Sequence, residues 1–148
     1  MELKIKHFSE LDIYELHDII KARVDVFVVE QTCPYGELDG YDTVSYHLWL
    51  EEDGKVLSYL RVLPQETKFD DVSIGRVLSL RRRQGLASIL MREAVKVAVE
   101  RFSADKIRLE AQTYAKKLYE KAGFRQVSDE FQDEDGIPHV AMLWEREQ

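Results

Sequence analysis

Cysteine and proline are scarce in this chain of 148 residues, which contains one Cys and three Pro. Because Cys33 stands alone, no internal disulfide can form, and a zinc site built on several thiolates is excluded. The four histidines show no short pair spacing suited to a metal ion, so we expect no metal cofactor. The low cysteine content fits a reducing compartment, and we expect the protein in the cytoplasm.

Long hydrophobic runs and an excess of positive charge are missing as well. No apolar stretch approaches the roughly 20 residues that span a bilayer. Charges at Glu2, Lys4 and Lys6 fall where a secretory signal would place its apolar stretch. The 21 Lys and Arg are outnumbered by 28 Asp and Glu, which gives a net charge of −7. We therefore expect neither nucleic acid nor a membrane as a partner.

What the chain does contain is enough apolar sequence for one core, with 45% hydrophobic residues, and its length suits one domain over residues 1–148. Alternating apolar residues predict the strand 2–7, runs of strand-forming residues between turn signals predict the other strands, and apolar residues spaced by three and four predict helices. The predicted strands are 2–7, 46–51, 56–63, 72–80, 106–111, 124–130 and 139–144, and the predicted helices are 9–28, 84–102 and 114–122, with Ser9 as the first N-cap. This order indicates an α+β fold, a mixed and mostly antiparallel twisted sheet flanked by helices.

The junction between the strand that ends at Leu80 and the long helix reads RRRQGLAS and concentrates positive charge. The first amides of a helix lack intrahelical partners and the helix dipole adds partial positive charge there, so this corner can bind phosphate. Gly85 permits close backbone approach, and Arg81, Arg82 and Arg83 supply guanidinium groups. Two other interpretations of the three arginines are kept: they form a solvated surface, or they contact nucleic acid on an otherwise acidic protein.

Several motifs resemble the GCN5-related N-acetyltransferase (GNAT) superfamily. Arg82-Arg83-Gln84-Gly85-Leu86-Ala87 is similar to the family signature R/Q-x-x-G-x-G/A, and the segment from Gln112 to Phe124 is similar to N-x-x-A-x-x-L-Y-E-K-x-G-F. The segment from Arg23 to Tyr35 and the run Ile74-Gly75-Arg76-Val77 resemble the ElaA-like branch. These matches occur in the family's order along nearly the whole chain.

The resemblance implies the acyl-CoA N-acyltransferase fold and direct acetyl transfer from acetyl-CoA to an amine. It places Tyr119 as the acid that protonates the leaving thiolate, and backbone amides around Leu78, Ser79 and Leu80 as donors to the oxyanion. The residues that it assigns to acetyl-CoA are Leu78, Ser79, Leu80, Arg82, Arg83, Gln84, Gly85, Leu86, Ala87, Ser88, Gln112 and Tyr119.

An attacking amine must first lose a proton, and three residues are candidates for the general base: Glu30, His47 and Glu110. Each has a structural alternative: an ion pair for Glu30, a hydrogen-bonded strand histidine for His47, and a solvated carboxylate for Glu110. The acceptor would be an amine of a small molecule or peptide, drawn in by acidic residues at 37–42 or 129–135. A homodimer is possible through the final hairpin. The alternative function is an acyl-CoA-binding sensor with the same fold and no turnover.

Overall fold

One mixed β-sheet organises the chain. The computed structural model describes residues 1–31, 36–81, 84–133 and 136–147. Within them the sheet has eight strands in the order β1-β2-β3-β4-β5-β8-β6, with β7 paired to β8. The strands are β1 (Glu2–His7), β2 (Tyr46–Glu52), β3 (Lys55–Leu63), β4 (Val72–Ser79), β5 (Lys106–Gln112), β6 (Arg125–Gln126), β7 (Phe131–Gln132) and β8 (Pro138–Glu145). The helices are α1 (Ile13–Arg23), α2 (Leu86–Phe102) and α3 (Lys116–Lys121).

Helix α1 begins later than the sequence predicts. Its N-cap is Asp12, whose carboxylate accepts a hydrogen bond from the Glu15 amide, while the Glu15 side chain accepts one from the Asp12 amide. This reciprocal capping box satisfies two amides that would otherwise lack partners, so it outcompetes Ser9, which lies in a short 3₁₀ turn (Phe8–Glu10). After Arg23 the chain continues as a π-helical segment, Val24–Glu30, which leads towards the cleft described below.

The two faces of the sheet are covered by different helices, because alternate residues of the central strands point to opposite sides. Leu48 and Leu60 join the apolar cluster of α2, whereas Trp49 and Tyr59 join that of α1. Strand β3 is consequently buried at every position after Lys55. The α2 cluster also takes in side chains from β5, β8 and α3. The sheet between helices confirms the predicted α+β fold class.

Strand β4 is irregular at its centre, and this irregularity opens the sheet. Arg61 lies opposite Gly75 and Tyr59 opposite Leu78, so β4 carries an extra residue in a bulge where Arg76 adopts a φ of 53°. The bulge changes the direction of the side chains: Ile74 packs on the α2 side and Leu78 on the α1 side. Parallel pairing of β4 with β5 is confined to two positions at their beginning, so the strands separate beyond Ser73.

The C-terminal region contains a helix that ends within a residue of the predicted end at 122, and it corrects the extent of the predicted strand. Gly123 follows α3 with a φ of 97°, the left-handed conformation expected after a helix. The predicted strand 124–130 is wrong in its extent, because regular pairing with β8 is limited to β6 and β7, although the Val127 amide between them also donates to the Ala141 carbonyl at 2.9 Å. The predicted turn at Asp135-Gly136 lies partly outside the described residues. In the described part of the chain, no helix combines the length and apolar character needed to cross a membrane.

Candidate active site

The separation of β4 from β5 forms a cleft of about 950 Å³. Its walls come from the β4 bulge, Ala87 at the start of α2, β5, α3 and the residues around β7, and the π-helical segment contributes Val26 and Phe27. A smaller cavity of about 210 Å³ lies at the start of α2. Ser79, Ala87 and Leu118 line both cavities, so the two adjoin. Together they make a channel from the N-terminus of α2 to the middle of the sheet.

The N-terminus of α2 is open to this smaller cavity. Its N-cap, Gly85, has a φ of 70° and no side chain to accept hydrogen bonds from the first helical amides. There is also no acidic residue in the first turn, so the partial positive charge of the helix end is not neutralised locally. Gln84, Gly85, Leu86, Ala87 and Ser88, which the resemblance assigns to acetyl-CoA, line this cavity. Arg82 and Arg83 lie outside the described residues.

Arg81 also lines the smaller cavity, but its guanidinium is engaged elsewhere. It donates to Glu52 at 2.7 Å, an exposed pair at the end of β2. Such a pair exchanges readily in water, so Arg81 can turn to a ligand at small cost.

Of the three residues whose backbone amides were expected to stabilise the oxyanion, Leu80 does not qualify. The Leu80 amide donates to the Leu57 carbonyl at 2.7 Å, so it is occupied and cannot serve an oxyanion. Successive amides of a strand point to opposite edges, which turns the Ser79 amide towards the gap beside β5. Leu78 and Ser79 both line the cleft. Ser79 therefore becomes the better candidate for an amide donor.

Tyr119 lies on the α3 wall of the cleft. The residue is 7% exposed. Burial, with a smaller contribution from Tyr114, raises the pKa of its phenol above the ordinary value, so the hydroxyl keeps its proton at neutral pH. No hydrogen bond joins this hydroxyl to another described side chain. A protonated phenol in a narrow channel is suited to donate a proton to an anion beside it.

Residues 15–146 match the family model described as an acetyltransferase (GNAT) domain. The chain belongs to the GNAT acetyltransferase family. Acyl transfer from acyl-CoA is the general chemistry that comes with this membership, and the ElaA-like motifs are supported by the relatives described next.

Several relatives match this GNAT chain over nearly its whole length. A UPF0039 protein of Schizosaccharomyces pombe is 41% identical over 149 residues, which cover 98% of this chain and 97% of that protein. The crystal structure of Escherichia coli ElaA is 30% identical, with a TM-score of 0.89 over 98% of this chain and all of that one. An acyl-CoA N-acyltransferase structure from Pseudomonas aeruginosa is 36% identical, with a TM-score of 0.89 over 97% and 99% of the two chains.

The GNAT chain has room and chemistry for an acyl-CoA substrate. A pyrophosphate needs several converging donors, and the uncapped first turn of α2 supplies amides that no described side chain caps. The pantetheine arm of CoA is extended and contains amides, so it can pair with the polar edge of a strand. The edge of β4 that faces β5 has no paired strand residue beyond Ser73 in the described ladder. Within the described residues, no three His, Cys, Asp or Glu side chains are grouped as they would be around a metal ion.

Of the three predicted base candidates in this GNAT chain, only Glu110 lines the cleft. Glu30 is exposed at the end of the π-helical segment and does not belong to the cleft wall. Gln112, the predicted contact for the pantetheine arm, does line the cleft, where its amide donates to Gln31 across the opening at 3.2 Å.

The expectation that His47 faces the cleft is wrong. The residue is 1% exposed and lies on the α1 side of the sheet. Its Nε2–H donates to the Asp42 carbonyl at 3.0 Å, which leaves Nδ1 to accept a hydrogen bond from the Tyr59 hydroxyl at 2.6 Å. Burial lowers the pKa of His47, so the ring is neutral with both nitrogens engaged. It is the satisfied strand histidine of the alternative interpretation.

Sequence reasoning missed His139 as part of the site, whereas Asp133 belongs to the acidic segment 129–135 that was expected to attract the acceptor. Both line the cleft. The His139 ring stacks on Phe131, and its Nδ1 lies 2.8 Å from the Ile137 carbonyl and 3.5 Å from the Asp133 carboxylate. Register determines the position of His139, because it pairs with Gln112 on β5, and that register could not be predicted from the sequence.

The acidic residues at 37–42 also have another role than expected. Glu37 accepts hydrogen bonds from Arg23 and Arg76, while Asp42 accepts from Arg23 at 2.7 Å and Arg61 at 2.8 Å. Arg23 and Arg61 are each 1% exposed. This buried ion network fixes the loop behind the β4 bulge and holds Arg76 in its left-handed conformation. It positions the cleft wall and leaves no free charge at Glu37 or Asp42 to attract an acceptor.

Proposed function

We propose that this GNAT protein transfers an acetyl group from acetyl-CoA directly to a primary amine of a small molecule or peptide. The observation that carries the proposal is the channel itself. It runs from the uncapped N-terminus of α2, past the free edge of β4, to a chamber with Tyr119 on one wall and Glu110 on another. These three parts of the channel follow one another in the same order as the pyrophosphate, the pantetheine arm and the thioester of acetyl-CoA.

Each group has a separate task in this reaction. The acceptor must attack as a neutral amine, and Glu110 lies where it can take the proton directly or through water. As the amine nitrogen bonds to the carbonyl carbon, negative charge develops on the carbonyl oxygen, and the Ser79 amide is placed to stabilise it. When the carbon–sulfur bond breaks, Tyr119 supplies a proton to the thiolate, whose pKa is about 8.5 if it resembles that of cysteine.

The charges on the acceptor side of the cleft attract an amine in its protonated form. Glu110, Asp133 and His139 face this side, and a carboxylate attracts a cation before the proton is removed. Charge attraction raises the local concentration of amine, while the neighbouring base generates the neutral form that reacts.

The test is release of free CoA thiol from acetyl-CoA, measured with a panel of primary amines. The proposal predicts thiol release that depends on both protein and amine. Saturating acetyl-CoA, at about 100 times its Kd, should stabilise the protein by about 2.7 kcal/mol, which raises Tm by roughly 5–10 °C for a chain of this size. A thermal shift without amine-dependent release across a broad panel would instead indicate the sensor function.

A further inference from the structure

Lys68 is a cation on the cleft wall that the proposed reaction does not use. It lies in the connection between β3 and β4 and lines the same cleft as Glu110 and Tyr119. Among the described residues, no carboxylate forms an ion pair with its ammonium group. Lys6, Lys21 and Lys96 differ in this respect, because each contacts a carboxylate within 3.3 Å. Lys68 differs from the remaining lysines in that it lines the cleft.

The connection that carries Lys68 is held in place by its own hydrogen bonds. The Thr67 hydroxyl donates to the Pro64 carbonyl at 2.8 Å, and the Glu66 amide donates to the Asp70 carbonyl at 3.1 Å. Phe69 is fixed from the other side, because the Arg108 guanidinium of β5 lies 5.4 Å from the centre of its ring. The backbone of Lys68 is therefore held at the rim of the cleft, and its flexible side chain can enter the cleft.

The surroundings of Lys68 favour a reactive amine. Partial burial lowers the pKa of Lys68, and the positive charges of Arg76 and Arg61 lower it further, while Asp39 and Glu110 act in the opposite direction. The residue remains exposed, and it lines the same cleft as Arg76 of the β4 bulge and Glu110 of β5. A larger fraction of neutral amine means a better nucleophile at neutral pH.

We propose that Lys68 is an internal acceptor, acetylated in cis by acetyl-CoA held in the cleft. This inference rests on the proposed function. The neutral Nζ forms a bond to the acetyl carbonyl carbon, and the carbon–sulfur bond of the thioester breaks with its electron pair on sulfur. The proton lost from nitrogen goes to Glu110 or water, and the CoA thiolate takes up a proton. The products are N-acetylated Lys68 and free CoA.

The experiment incubates the purified protein with acetyl-CoA in the absence of any amine, and maps the label by intact-mass and peptide mass spectrometry. One acetyl group per chain is expected, on Lys68, at a first-order rate that a tenfold dilution of the protein leaves unchanged. Lys68→Arg should abolish this label. The matched control Lys96→Arg, on the exposed surface of α2, should leave it intact.

Enzymatic labelling is separated from simple chemical acetylation by the substrate site. Gly85→Glu places bulk and negative charge at the N-terminus of α2 and should abolish the label, whereas Gly54→Glu in the β2–β3 turn should not. A label that persists in Gly85→Glu, spreads over many lysines or slows on dilution overturns the inference. If acetyl-CoA raises Tm and amines release thiol but Lys68 stays unmodified, only this inference fails. If neither response occurs, the proposed function fails with it.

Discussion

Replacement of Asp42 by Asn tests the buried ion network that supports the cleft wall. Asp42 is 8% exposed and accepts hydrogen bonds from Arg23 and Arg61, both of which are almost completely buried. Asn keeps the size of the side chain and one oxygen acceptor but loses the charge, so the three arginines of the network keep only Glu37 and Asp39 as counterions and one buried positive charge is left uncompensated. Removal of one partner from a buried pair costs about 3–5 kcal/mol. Because the Asn oxygen retains one acceptor, we expect a loss near the lower end, about 3 kcal/mol.

The predicted loss converts into a measurable change in Tm. Unfolding entropy of about 2.1 cal/mol/K per residue gives roughly 0.3 kcal/mol/K for this chain, so about 3 kcal/mol lowers Tm by about 10 °C. Asp25→Asn is the matched control, because Asp25 forms an exposed i,i+4 pair with Lys21 that is worth about 0.3–0.5 kcal/mol. Differential scanning calorimetry measures both. An Asp42→Asn protein that melts within about 2 °C of the parent would refute the structural role of the network.

Three further predictions address the site and the interior. Tyr119→Phe should lower kcat by about 10²-fold or more, because it removes the proposed acid. The Kd for acetyl-CoA, measured by calorimetric titration, should stay unchanged. Equal kcat values in the two proteins would show that Tyr119 takes no part in the chemistry. Gly85→Glu should abolish the Tm shift with acetyl-CoA, whereas Gly54→Glu, which carries the same strain of a side chain at positive φ, should keep it. As pH falls below about 6.5, His47 binds a proton in the unfolded chain but resists one in the fold, so the free energy of unfolding should decrease by up to about 1.4 kcal/mol per pH unit. His47→Gln should reduce that slope in denaturant titrations and His17→Gln should not.

The sequence predicted most of the sheet because its strands are rich in strand-forming residues and are bounded by turn signals. Each of the strands β1 to β5 was placed within a residue or two of its observed ends. The start of α1 was wrong although the better signal was present, since Asp12 and Glu15 form a complete capping box and Ser9 does not. The division of the C-terminal strand into β6 and β7 could not be predicted from the sequence, because it depends on where each of them pairs with β8.

The site was predictable where it depends on a local motif and not where it depends on register. Residues 84–88 form a contiguous helix start, so their shared cavity follows from the sequence. His47 illustrates the opposite case, because the face of β2 that lies against α1 is set by packing of the whole sheet. The bulge at Arg76 could not be predicted either. It depends on Glu37, which lies 39 positions away in the sequence and accepts a hydrogen bond from Arg76 at 2.7 Å.

Hydrogen–deuterium exchange with and without saturating CoA tests most directly whether the cleft between β4 and β5 is the acyl-CoA site. No described backbone carbonyl pairs with the amides of the first turn of α2, at residues 86–88, or with the Ser79 amide on the edge of β4, so both places should exchange quickly without CoA. We expect CoA to slow exchange at both places together, with little change in β1 and β2. Protection elsewhere, or unchanged exchange at these two places under saturating CoA, would contradict it.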